Sequence, residues 1–162
     1  MNRRAWCWYR GVLLLSLLVM AGAAQAACVE STAALESMER RPVQFSSRNG
    51  EDVRFTVRIA ANRRQRAAGM QHLCEQAVRD NPMLFRFPRP VQHAFHMQNV
   101  HVPLDILFID RHGVIRSRQR MIPGEALYRP DHPFHYALEM LAGEAERLGL
   151  AEGMQLRSLR SD

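Results

Sequence analysis

Apolar residues alternate with polar ones in the clearest part of the chain. Over Asp52–Ala60, Val53, Phe55, Val57 and Ile59 face one way and Arg54, Thr56 and Arg58 the other, the signature of a half-buried antiparallel strand. Val43–Ser46 precedes it across Arg48-Asn49-Gly50, and Asn-Gly is a strong hairpin signal. Asn62 with Gln65 three residues on forms a capping box, and Ala67, Met70, Cys74 and Ala77 recur at helical spacing, which predicts an amphipathic helix from Arg63 to about Ala77. Met83–Phe87, between Pro82 and Pro88, and Gln92–Val100, between Pro90 and Pro103, read as strands. Leu104–Asp110 is apolar at nearly every position, the pattern of the most buried strand, and Arg111-His112-Gly113 turns it into Val114–Arg120. Residues 121–133 hold three Pro and one Gly and read as a long loop. His135–Leu141 fits strand or helix; Glu144–Leu148 is a short helix stopped by Gly149, and Met154–Ser158 a last strand. The class that follows is α+β: mainly antiparallel β, a barrel-like sheet with one main amphipathic helix and one short helix.

The first 26 residues follow a different pattern. Arg3, Arg4 and Arg10 give a basic start without acids, Gly11–Ala21 is apolar, and Ala24-Gln25-Ala26 offers small residues where a signal peptidase reads. This predicts a signal peptide at 1–26, cleavage before Ala27, and a periplasmic protein with no stable membrane insertion afterwards. A membrane span needs roughly 20 apolar residues, more than this run supplies, so an uncleaved anchor is the weaker alternative. A lipoprotein is weaker still, because Gln25 stands three residues before Cys28, where an aliphatic side chain belongs. The expected organisation is therefore a signal at 1–26, an N-terminal segment at 27–41 and one domain at 42–162.

All 22 basic residues are Arg, and three of them leave with the signal, so 19 Arg face 16 acids in the remaining 136 of 162 residues. They are interspersed with acids, as on a solvated surface, and neither this pattern nor export suits nucleic acid as a partner. Cys7 also leaves with the signal, and Cys28 and Cys74 remain as a pair in a chain bound for an oxidising compartment. A disulfide between them is favoured over two free thiols.

Five blocks, in order, carry a resemblance. Arg66-Ala67-Ala68-Gly69-Met70, Met83-Leu84-Phe85-Arg86-Phe87, Phe95-His96-Met97-Gln98-Asn99-Val100, Pro103-Leu104-Asp105-Ile106 with Phe108-Ile109-Asp110 and Gly113, and Tyr136-Ala137-Leu138-Glu139 with Gly143 resemble the blocks of the DUF192 (UPF0127) family. Gln65 stands where that family has Glu, His96 where it has Trp, and Val100 where it has Thr. The resemblance implies a small β-rich domain and brings no activity with it.

Templates for nucleophilic, metalloprotease or phosphate chemistry are missing from the sequence. No cofactor is expected. His93, His96, Met97 and His101 invite a copper reading, but on a strand His93, Met97 and His101 lie roughly 13 Å apart per step, so no metal site is expected. Asp105 sits in the most apolar strand and needs a partner, for which Arg66 and Asn99 are the candidates, and a structural Asp–Arg clamp is favoured over catalysis. Glu139 reads either as a binding charge or as part of a solvated edge. The candidate ligand-binding set is Arg66, His96, Asn99, His101, Asp105 and Glu139, with no catalytic residue assigned. The leading function is a non-catalytic binding or accessory module of the cell envelope, its partner an unidentified small molecule or envelope component. The alternative is an envelope hydrolase using Asp105 with His96 or His101. The pattern carries no signal of an oligomeric state.

Overall fold

The computed structural model describes residues 27–157 apart from 48, 51 and 125. The export segment at 1–26 and the end of the strand expected at Met154–Ser158 lie outside the described residues. In chain order the elements are α1 (Ala33–Glu36), β1 (Glu39–Ser46), β2 (Asp52–Ala60), α2 (Arg63–Ala68), α3 (Glu75–Asp80), β3 (Met83–Val91), β4 (Phe95–His96), β5 (Leu104–Ile109), β6 (Ile115–Met121), β7 (Leu127–Tyr128), β8 (Phe134–Leu141), α4 (Glu144–Arg147) and β9 (Gln155–Leu156). Seven strands form one curled half-barrel sheet in the order β6-β5-β8-β3-β2-β1-β9, and β4 pairs with β7 in a separate two-stranded flap. The α+β class is as expected. One pairing departs from the antiparallel pattern, since β2 and β3 run parallel and α2 and α3 make the crossover between them.

Local chemistry explains most of the elements. The β1–β2 hairpin holds Ser46 opposite Asp52, as Asn49-Gly50 required. At the start of α2 the Asn62 side chain accepts from Gln65 N at 2.9 Å, and Gln65 Oε1 accepts from Asn62 N at 3.2 Å and from Ala61 N at 3.0 Å. Gln65 Nε2 donates to Ser37 O, a bond that an ionised Glu at this position has no proton to make.

The helix expected over Arg63–Ala77 is two short helices. Gly69 (φ 49) ends α2, and His72 (φ 65) lies in the left-handed region before Cys74 caps α3. The apolar residues after the break still reach one core, Met70 and Leu73 from the connection between the helices and Ala77 and Val78 from α3, while Ala67 is exposed. The strand expected over Gln92–Val100 shrinks to Phe95–His96. Asn99 (φ 58) turns the chain there, and only β7 is available to pair.

Two cores lie on opposite faces of the sheet. β1, β2, β3, β5, β6, β8 and β9 all contribute to one of them, the inside of the curl, with Phe45, Val57, Leu84, Leu107 and Leu138. The other lies between β3, β5 and β8 and the covering layer of α1, α2, α3 and the flap, and contains Met70, Phe85, Phe108 and Phe134. β5 is buried at all six positions, feeding both cores by alternation. Each such apolar side chain contributes roughly 1.5–3 kcal/mol by leaving water.

The curl brings β6 and β9 together at one end only. Leu156 N donates to Gly113 O at 2.8 Å and Ile115 N to Met154 O at 2.9 Å. Gly113 has φ +82, and a Cβ there would lie 2.7 Å from Leu156 O, so glycine is required at this seam.

Cys28 and Cys74 are joined by a disulfide, their Cα atoms 4.9 Å apart. Backbone bonds flank it: Val29 N donates to His72 O and Cys74 N to Val29 O. The N-terminal segment is thereby held against the loop between α2 and α3, and α1 places Leu35 and Met38 in the covered core.

Candidate functional site

Asp105 is buried, with 2% of its surface exposed, but its partner is not Arg66. It faces the inside of the curl with Leu107 and Ile109. Its cross-strand neighbour on β6 is Arg120, whose Nε donates to Oδ1 at 3.0 Å. Gly143 N, at the start of α4, donates to Oδ2 at 2.7 Å. The carboxylate thus ties β5, β6 and α4 together. Asn99 is no partner either, since its side chain donates to Gln71 Oε1. No imidazole bonds Asp105, and both its oxygens are occupied, which removes the hydrolase built on Asp105 with His96 or His101. The same geometry predicts that Asp105→Ala lowers stability by roughly 2–3 kcal/mol, because it deletes charge-assisted bonds and leaves the Gly143 N–H unpaired. Urea denaturation checks this. Asp105→Asn keeps acceptor capacity toward Gly143 and is expected to cost less.

Three of the candidate residues meet elsewhere. Arg66, His96 and Glu139 line one pocket of about 430 Å³ on the helix-covered face, with walls from α2, β3, β4 and the loop before it. Phe85, Phe87 and Phe95 supply its aromatic surface. Phe85 and Phe95 meet edge to face at 5.4 Å, and Phe87 meets Phe134 likewise at 5.3 Å, so the wall is continuous with the core. Arg66 lies over the Phe87 ring, 5.1 Å from its centre, and its Nη1 donates to Ala61 O at 2.6 Å and to Arg86 O at 3.0 Å. These bonds fix the guanidinium and leave its other N–H groups free. His96 accepts from Gln98 N at Nδ1, 3.3 Å, which leaves Nε2 to carry the proton of the neutral ring.

Glu139 is the unusual member. It lies on β8 between Met83 of β3 and Ile106 of β5, is 4% exposed, and receives no side-chain hydrogen bond or ion pair from the described residues. Burial pushes its carboxyl up to about 8, so the acid is largely neutral at pH 7. It is therefore not part of a solvated edge. A neutral carboxylic acid facing a pocket can donate its proton in a hydrogen bond to a ligand.

Asn99 and His101 line a second cleft of about 570 Å³ beneath the flap, with His96 between the two cavities. Asn99 there has a structural task, since its O accepts from His72 N at 2.7 Å and joins the two left-handed residues. Because Gln92–Val100 is no continuous strand, the strand spacing of His93, Met97 and His101 does not apply. The rings of His72 and His101 come within 6.5 Å, yet among the described residues no three His, Cys, Asp or Glu side chains gather to hold a metal. Arg63 and Arg89 also stand on the pocket wall, as do Phe85, Phe87 and Phe95, none of them among the candidates read from the sequence, and His93, considered there only as a copper ligand, joins them. Unpaired Arg around an aromatic run was the available signal. The Nδ1 of His135 is buried without a partner among the described residues, and burial lowers the basicity of its ring.

A family model, DUF192, described as an uncharacterized ACR, matches residues 45–158. Among solved structures, the chain is similar to a protein of Sinorhizobium meliloti 1021 provisionally named a transcription regulator. That match is 32% identical with a TM-score of 0.69, and it covers 75% of this chain and 95% of the other. A protein of unknown function from Novosphingobium aromaticivorans DSM 12444 shares the fold at 23% identity and a TM-score of 0.63, covering 78% of this chain and 97% of that one. No curated protein matches.

Proposed function

Because the chain belongs to the DUF192 family, whose description assigns no activity, we propose from its pocket that it is an exported binding module of the cell envelope, taking a small molecule without turning it over. The observation that carries this reading is Glu139, a carboxyl group 4% exposed and unpaired among the described residues, on the wall of an aromatic pocket. A buried polar group without a partner costs about 1–3 kcal/mol, and a ligand that bonds to it recovers that cost. The pocket's size and apolar walls with a few convergent polar groups are those of small-molecule sites. Binding without turnover is favoured because, among the described residues, no hydrogen-bonded pair of base and nucleophile lies in the wall. The regulator name of the Sinorhizobium protein is not carried over, since the longest described helices have six residues, too few for a recognition helix in a DNA groove. Export is supported by the basic-apolar-small pattern of residues 1–26 and by the Cys28–Cys74 bridge.

Two measurements test the reading. Intact mass of protein from an osmotic-shock fraction is expected to show a chain starting at or near Ala27, and retention of residues 1–26 in membranes overturns export. Thermal-shift screening of small molecules is expected to find compounds that stabilise the wild type, by about 2.7 kcal/mol at a hundred times Kd. The shift should vanish in Ala68→Phe, which fills the pocket. A folded wild type that no compound stabilises, or compounds that stabilise both proteins equally, removes the binding site from this pocket.

A further inference from the structure

The charges around the pocket are segregated. Arg63 and Arg66 on α2 and Arg89 on β3 stand on its wall, and none of the three has an ion-pair partner among the described residues. Elsewhere some Arg residues find carboxylates, as Arg79 does with Glu75 and Glu144, Arg116 with Asp110 and Arg120 with Asp105, while exposed ones such as Arg64, Arg111 and Arg118 have none among the described residues. What sets the pocket apart is that three unpaired Arg converge on one concavity. The pocket wall contains a single acid among the described residues, Glu139, which is recessed in the sheet and, through its burial, largely neutral at pH 7. Three guanidinium groups, charged at any physiological pH, therefore share a concave site with no balancing negative charge.

Position separates the two polarities. Arg63 and Arg89 are exposed and Arg66 is half-buried, so the cationic groups are at the solvent side. Glu139 is recessed in the sheet, with Phe85, Phe87 and Phe95 completing the wall. Arg66 is already immobilised by Ala61 O, Arg86 O and the Phe87 ring, so binding an anion costs it little further side-chain entropy. Its remaining N–H groups suit a planar or tetrahedral oxyanion.

We infer, building on the binding reading above, that the ligand is an amphipathic anion: a carboxylate or similar oxyanion held by Arg63, Arg66 and Arg89, an apolar body against the three Phe rings, and a hydrogen-bond acceptor at the far end for the Glu139 carboxyl. A cation is disfavoured by the guanidinium groups, and a purely apolar molecule leaves both Glu139 and the arginines unsatisfied.

Four probes dissect these parts, measured by isothermal titration against the purified protein at pH 7. Para-acetylphenylacetate has the anion, the ring and the remote carbonyl. Its methyl ester lacks the charge, para-ethylphenylacetate lacks the carbonyl, and para-acetylphenethylamine reverses the charge. The acetyl acid is expected to bind best, the ester at least roughly ten-fold more weakly, and the amine not at all. Arg63→Gln with Arg89→Gln should bring the acid down to the level of the ester. Glu139→Leu should erase the preference for acetyl over ethyl, while Glu139→Gln, whose amide still donates, should keep it. Ester and amine binding as well as the acid would overturn the anion inference. So would failure of all four probes while the thermal-shift screen yields pocket ligands of other chemistry. In both cases the binding reading stands. Empty results from both the probes and the screen, with the protein folded, would remove both.

Discussion

Stability is expected to fall as pH rises from about 4.5 to about 8, and Glu139→Gln should remove that part of the slope. Burial raises the Glu139 carboxyl from 4.5 to about 8 in the folded chain. Between those values the folded state holds a proton that the unfolded state has released, so raising the pH favours unfolding. The stabilisation is complete below the unfolded value and gone above the folded one. At 1.36 kcal/mol per pH unit the loss is on the order of 5 kcal/mol across the window. His135 works in the opposite sense, because its folded form resists protonation and its contribution grows as pH rises through the usual imidazole range. Asp110 and Glu144 act at the acid end. Burial raises Asp110, but bonds from Val114 N, Arg116 and His112 N outweigh it, and the Arg147 bond holds Glu144 down against its own burial. Both therefore stabilise above their unfolded values, and that contribution is lost only as pH falls through the carboxylate range. Comparing wild type with Glu139→Gln by denaturant unfolding from pH 5 to pH 8.5 cancels these other groups. The difference between the two proteins should grow steadily in favour of the variant. A constant difference would mean that the carboxyl is not held neutral in the fold.

Reduction of the Cys28–Cys74 bridge should destabilise the protein nearly as strongly. The bond spans a sequence separation of 46 and closes a loop containing α1, the β1–β2 hairpin and α2. Releasing that loop restores chain entropy to the unfolded state, worth roughly 4 kcal/mol in the loop-closure model. The bonds from Val29 N to His72 O and from Cys74 N to Val29 O are the contacts beside the bridge that remain to hold the segment. Urea unfolding with and without reductant measures the change. The variant with Cys28→Ser and Cys74→Ser should match the reduced wild type and be indifferent to reductant. A shift below about 1 kcal/mol would show that the backbone contacts alone hold the N-terminal segment.

Local signals were the ones the sequence displayed well. Asn49-Gly50 is followed by the alternation of β2, Asn62 and Gln65 form their reciprocal cap, and Leu104–Ile109 is buried throughout. Signals failed where a distant residue decides the local backbone. Of the helically spaced residues Met70 and Ala77 are buried and Ala67 is exposed, because Gly69, the bridge to Cys28 and the contact with Asn99 break the helix between them. Asp105 was legible as buried. Its partner required the register of the β5–β6 hairpin, which sets Arg120 opposite it after an irregularity at Phe108 and Ile109. Counting outward from the turn without that irregularity pairs Asp105 with Gln119, one position short of Arg120. Of the candidate site, Arg66, His96 and Glu139 converge, while Asn99, His101 and Asp105 serve other places. Convergence is a property of sheet order, which no single strand's pattern contains.

Among the described residues, the incomplete curl of the sheet leaves two margins that face no neighbouring strand. β9 pairs with β1 at Phe45 and Ser46, with Arg157 N donating on to Gln44 O, and among the described residues β6 meets the far side only beside Gly113. Elsewhere along β6 and the first half of β1 the outer row of backbone groups meets no strand among the described residues, a template on which a strand from another chain can add. Both margins carry groups that oppose such templating. Arg116, Arg118 and Arg120 stand exposed at every second position of β6. On β1, Arg40 is exposed, and Pro42 beside it has no N–H to offer. A strand laid on either margin would have to strip water from guanidinium groups, and on β1 it would also meet a gap in the ladder. The arrangement leaves the fold open at its rim yet resistant to the edge-to-edge growth that leads β-rich chains into fibrils.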